Sequence, residues 1–139
     1  MKKAYICHPY ASNPERNQEI VRQICEDIVG EQRLEYKKQV SKGGYSPGVR
    51  DHYFENIIVP VASHLLFPEF MNDVAEDRQL AMDYCIELMK SCDEVWVYYE
   101  DAVTAGMREE ISVAAGVGIP IKWKRYPREV LNRWVELGE

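Results

Sequence analysis

Two adjacent carboxylates, Glu109 and Glu110, stand one turn inside a segment that reads as a helix, TAGMREEISVAAGV over 104–117. Carboxylates at a helix start have two uses. They complement the positive end of the helix, worth roughly 0.3–1 kcal/mol, or they act as base or nucleophile at a ligand site. The helical turn separates the two here. Taking Met107, Ile111, Ala114 and Ala115 as the apolar face, Glu110 lies about 85° from its centre and Glu109 about 175° from it. Glu109 is thus expected in solvent, and Glu110 at the border of the buried face. The same turn offers the backbone N–H groups of Ala105, Gly106 and Met107 as a seat for an anion. Thr104 either caps the helix or turns its hydroxyl to a phosphate.

These groups need elements to hold them. KAYIC over 3–7 reads as a strand, stopped by His8-Pro9. Pro14 opens a helix in which Ile20, Val21, Ile24, Cys25 and Ile28 recur at spacings of three and four up to Gly30. The stretch 31–56 shows no clean period and two Gly/Pro clusters, and reads as a long functional loop. NIIVPVAS is a second strand, followed by a loop rich in apolar residues from His64. RQLAMDYCIELMKSC is a helix with Leu80, Tyr84, Cys85, Leu88 and Met89 on one side. DEVWVYY, the helix over 104–117, IPIKW and a last helix in PREVLNRWVEL complete the alternation. Such alternation predicts an α/β fold, a Rossmann-like three-layer sandwich with a parallel sheet of four or five strands. Ligands bind such sheets beyond the carboxyl ends of the strands.

Composition narrows the function classes. At 139 residues the chain suits one domain, 1–139, with 31–56 as an insert. It is 46% hydrophobic and 29% charged, with a formal net charge of −6. That charge argues against nucleic-acid binding, which rests on phosphate neutralisation. No apolar run approaches the roughly 18–20 residues of a membrane span. The start of the chain does not read as a signal peptide, so a cytoplasmic location is expected. The four cysteines lack CxxC spacing and read as reduced thiols. The histidines, His8, His52 and His64, lack zinc-ligand spacing, and no metal or cofactor is expected. Walker A, GxGxxG and GxSxG patterns are all missing.

AYICHPY, CDEVWVY and TAGMREEISVAAGVGIPI together resemble the nucleoside 2-deoxyribosyltransferase superfamily, nearest its small branches, which include deoxynucleotide N-glycosidases. In that family a Ser or Thr, a Gly two residues on and a Glu six residues on precede a strand start. Here these are Thr104, Gly106 and Glu110, ahead of Gly118-Ile119-Pro120. The resemblance implies that Glu110 is a carboxylate nucleophile toward an anomeric carbon. It implies that Tyr5 hydrogen-bonds that nucleophile, although a strand tyrosine packed in a core reads equally well. Thr104 and Gly106 would hold a 5′-phosphate. His8, Pro9 and Tyr10 would line the pocket, and Ser63 and His64 would open its second loop, with His64 contacting base or phosphate or merely bonding backbone.

The chain departs from that pattern in one place. The glycosidase branch carries a sugar-contacting aspartate where Cys85 stands, and Asp83 points elsewhere on the same helix. Arg78 and Arg16, near helix starts, offer charge to a phosphate, with Arg16 also reading as a solvated helix residue.

The leading expectation is N-glycosidic bond cleavage or transfer on a nucleoside or nucleotide, with small-molecule substrate, no nucleic-acid partner and no membrane. The alternative is a binding protein that sequesters or senses a signalling nucleotide of the ADP-ribose type, as a phage-encoded anti-defence sponge would. Tyr126, Leu131, Trp134 and Val135 form an apolar stripe, read as the surface of a homo-oligomer, most simply a dimer, or as the inner face of the last helix. The 31–56 insert carries Arg33, Lys37, Lys38, Lys42 and Arg50, five of the 17 basic residues, with Tyr36, Tyr45, Tyr53 and Phe54. It reads as a solvated loop or as a lid that stacks on a base.

Overall fold

The computed structural model describes residues 1–43, 47–71, 75–99, 102–128 and 130. Four strands, β1 (Lys2–Cys7), β2 (Ile58–Val61), β3 (Glu94–Val97) and β4 (Ile121–Trp123), form one all-parallel sheet in the order β2-β1-β3-β4. The fold is the expected Rossmann-like α/β sandwich. Pro60 sits in β2, an edge strand, where a missing ladder donor is tolerated.

Strand alternation assigns the two faces. Tyr5, Cys7, Val95 and Val97 point to one core, and Ile6, Trp96 and Tyr98 to the other. The second core is closed by Ile20, Val21, Ile24 and Ile28 of α1 (Pro14–Gly43). The first is closed by Met89 of α3 (Ala75–Lys90) and by Met107 and Ala114 of α4 (Ala105–Val117). The chain leaves β1 toward β2 through α1, then crosses back through α3 to β3. The strand order therefore reverses at β1/β3, and the cleft opens there, beyond Cys7 and Val97.

The 31–56 stretch is not a loop. The helix runs through Gly30 to Gly43, and a second helix, α2 (Pro47–Asn56), comes after it. A glycine ends a helix when it turns left-handed, and among the described residues only Gly118 has positive φ. The strong helix formers after Gly30 then carry α1 onward until the chain nears Pro47. Tyr36, Tyr53 and Phe54 pack ring to ring between α1 and α2, with centroids 4.6 and 5.6 Å apart.

This helical pair joins the sheet at the amino end of the strands. Gln32 clasps Ile58, donating Nε2 to its carbonyl at 2.8 Å and accepting its N–H. The Met1 ammonium donates to the Glu55 carbonyl at 2.9 Å. A lid over the cleft of its own subunit is excluded by that placement, because the cleft lies at the opposite end of the sheet. Tyr45 and the side chain of Arg50 lie outside the described residues.

Two predicted helix faces shift. Leu80 and Tyr84 are each 42% exposed, and α3 instead packs through Cys85, Leu88 and Met89. In α4, Ala115 is exposed and Glu110 is buried, so the inner face centres on Met107, Glu110 and Ala114. Ala is small enough that exposing it loses little, while the partners of Glu110 lie inside. Tyr126 is half-buried and packs against Tyr98 and His8, at 5.5 and 5.6 Å, at the edge of the second core. Leu131, Trp134 and Val135 lie outside the described residues. No helix among the described residues is long and apolar enough to cross a membrane.

Candidate functional site

A cavity of about 540 Å³ opens beyond the carboxyl ends of β1, β2 and β3. That volume is within the usual range for a small-molecule site. The β1–α1 turn brings His8, Tyr10 and Ser12 to it, and the turns after β2 bring Ser63, His64 and Phe67. The start of α3 contributes Arg78, Met82 and Cys85, and the start of α4 contributes Thr104, Gly106 and Glu110.

Glu110 is 5% exposed, and Tyr5 from β1 is 1% exposed beside it. Tyr5 Oη donates to Glu110 Oε2 and lies 2.8 Å from Ser63 Oγ. Cys7 Sγ is 3.7 Å from Glu110 Oε1 and donates to it. Among the described residues Glu110 has no salt bridge, so only neutral dipoles support its charge. Burial raises its pKa to about 7, against the pull of the Tyr5 and Cys7 hydrogen bonds. Tyr5 and Cys7 are themselves pushed well up by burial and by the neighbouring carboxylate. Glu109 is exposed, as the helical spacing predicts.

Thr104 caps α4, its Oγ1 accepting from Met107 N at 3.3 Å. The capping use anticipated for it is therefore taken up, and only the earlier N–H groups of the turn stay clear of that bond. Gly106 is small for a packing reason as well. A Cβ there would stand 3.1 Å from Met82 Cε, so α3 and α4 approach closely beneath the cavity.

The two histidines meet at its far wall. Tyr10 stacks on His64 with centroids 5.1 Å apart and planes 5° from parallel. His8 meets His64 edge to face at 6.2 Å, and its Nδ1 lies 2.8 Å from the Pro9 carbonyl. Burial lowers the His64 pKa to about 3, so it is neutral across the physiological range. Pro9 thus serves His8 and does not line the cavity. Tyr5 also lies behind the lining, reaching the cavity through Glu110.

Phe67, Pro68, Met71 and Met82 were not singled out from sequence. They give the cavity lining an apolar character. Cys85 lines the cavity too, beside the Ser63 and Tyr5 hydroxyls, and Asp83 is exposed and bonded to Gln79 at 3.0 Å. Arg16 is half-buried and outside the lining, not a fully solvated helix residue. No group of three or more metal-ligating side chains occurs among the described residues.

Fold and site together define an α/β domain with a carboxylate–tyrosine pair at the switch point of its sheet. A family model matches residues 45–124, more than half of the chain, and the chain belongs to that family, described as Domain of unknown function (DUF7768). The match spans β2 to β4 and includes Ser63, His64, Arg78, Thr104, Gly106 and Glu110, while Tyr5 and His8 precede it. No curated protein and no solved structure matches the chain.

Proposed function

We propose that the protein breaks or transfers the N-glycosidic bond of a nucleoside or nucleotide, with Glu110 as nucleophile. One observation carries this reading. A buried carboxylate without a cationic partner among the described residues faces a cavity of small-molecule size and accepts a hydrogen bond from the Tyr5 hydroxyl. In this mechanism Glu110 bonds to the anomeric carbon as the bond to the base nitrogen breaks, and the base leaves with that electron pair and takes a proton from solvent. Water, or a second base, then attacks the same carbon and frees the carboxylate. The negative charge of Glu110 also stabilises the oxocarbenium-like transition state. The Tyr10–His64 stack and Phe67 suit a planar base, and Arg78 suits a phosphate.

A second reading, binding without turnover, is favoured by Cys85. The glycosidases that the sequence resembles carry a carboxylate at that position, and a half-buried thiol cannot supply one. A pocket that keeps a nucleotide and leaves it intact would sequester or sense it.

Free base is followed by chromatography after incubation with a panel of nucleosides and 5′-nucleotides. Glycosidic chemistry predicts release by the native protein, loss in Glu110→Gln and near-native rates in Glu109→Gln. Tight binding of a nucleotide with no release at any pH between 6 and 9 would select the second reading.

A further inference from the structure

Ser63 reads from sequence as a ligand contact, yet its hydroxyl is already engaged. The residue is 2% exposed, and its Oγ lies 2.8 Å from Tyr5 Oη. Tyr5 has one proton, and an ionised Glu110 can only accept, so that proton points to Glu110. The Tyr5 oxygen must then accept from Ser63. Two hydroxyl protons thus run in one direction, from the turn after β2, through β1, to α4.

We propose that Ser63 is a positioning residue that acts through Tyr5: its donated proton polarises the Tyr5 hydroxyl and holds Glu110 in the ionised form that attacks. The bond from Ser63 is strongest when the Tyr5 proton leans on a carboxylate, because the phenolic oxygen then carries more negative charge. It therefore favours ionised over protonated Glu110. The significance for catalysis rests on the proposed nucleophilic role, but the effect on Glu110 ionisation does not.

The titratable groups acting on Glu110 are Tyr5 and Cys7 from β1, Cys85 from α3 and, through its charge, the exposed Glu109 of its own helix. Further round the cavity stand His8, His64, Asp77 and Arg78. Tyr5, Cys7 and Cys85 are raised and His64 is lowered, so these four keep their neutral forms while Glu110 titrates. Without a cation bonded to it among the described residues, Glu110 has the hydroxyl chain and the Cys7 thiol as its stabilising contacts.

The test is a titration of the Glu110 side-chain carboxyl by carbon NMR in the full chain, assigned by its loss in Glu110→Gln. It needs no substrate, so failure of glycosidic turnover leaves it intact. Ser63→Ala should raise the midpoint by about half a pH unit, and Tyr5→Phe by about one to two. Ser63→Thr keeps the hydroxyl and should keep the native midpoint. Ser63→Cys, a near-isosteric weak donor, should raise it if Ser63→Ala does not fold. In the Tyr5→Phe background the Ser63 change should add nothing. An unchanged midpoint in Ser63→Ala and Ser63→Cys, or an equal shift with and without Tyr5 Oη, would overturn the proposal.

Discussion

Tyr5 and Glu110, 105 residues apart in the chain, meet through a hydrogen bond on the cavity floor, the phenol donating to Glu110 Oε2. Tyr5 arrives on the inner strand β1 and Glu110 on the first turns of α4, so the pair forms where that helix packs on the sheet. Its surroundings, not its residue types, set its chemistry. Burial lifts Glu110 to a pKa near neutrality, while the phenol restrains the rise.

That balance fixes the pH dependence of base release. The ionised carboxylate is the nucleophile, so kcat/KM should climb as pH rises through about 7 and level off above it. Tyr5→Phe should move this limb to higher pH and recover much of the rate once the carboxylate is formed. A profile of initial rates from pH 5.5 to 9 checks both. A flat native profile would detach Glu110 ionisation from the reaction.

The same shift bears on stability, with the opposite sense. A carboxyl raised in the folded state from an ordinary 4.5 to about 7 contributes stability that is full below about 4.5 and lost as pH rises through about 7. The difference corresponds to about 3 kcal/mol. Glu110→Gln keeps the shape and the Tyr5 bond but carries no charge. It should raise the melting temperature by several degrees at pH 8 and change it little at pH 4.5. Scanning calorimetry at the two pH values reads this, and equal effects at both would contradict the burial argument.

Much of the fold was legible because its signals are local. Apolar periodicity in α1 and the β-rich runs at 3–7 and 94–97 mark their own elements. The insert misled because Gly30 resembles a helix stop, and whether a glycine turns left-handed depends on the residues after it. Glu110 was identifiable from helical spacing, but its placement at the centre of the buried face was not. Its partners Tyr5, Cys7 and Ser63 lie far off in sequence, and no pattern within α4 announces them. Gly106 read only as part of an anion seat, and its approach to Met82 had no signal in sequence.

Charge on the insert and charge at the cavity should separate cleanly. Arg78 lines the cavity, while Lys37 and Lys38 are exposed on α1 beyond Gln32, at the other end of the sheet. Arg78→Ala should raise KM for a 5′-nucleotide about tenfold, about 1.4 kcal/mol, and affect the parent nucleoside less. Lys37→Glu with Lys38→Glu should leave both KM values within a factor of two. A larger effect from the lysine pair would bring the insert of a neighbouring subunit to the site.

Space at the α3–α4 crossing gives a packing prediction. Gly106→Ala places a Cβ against the flexible end of Met82 and should be accommodated, with a melting temperature within a few degrees of native. Gly106→Leu should fill the cavity beside Glu110 and abolish nucleotide binding measured by calorimetry, while circular dichroism retains the native spectrum. Full binding by the leucine variant would put the ligand elsewhere.

The most direct test of Glu110 as nucleophile is the mass of the reacting enzyme. Quenching a turnover reaction within milliseconds, followed by peptide mass spectrometry, should find the substrate sugar bonded to the Glu110 side chain. Glu110→Gln should form no such adduct. Base release with no sugar on the protein at any quench time, or an adduct on Glu109, would contradict the account.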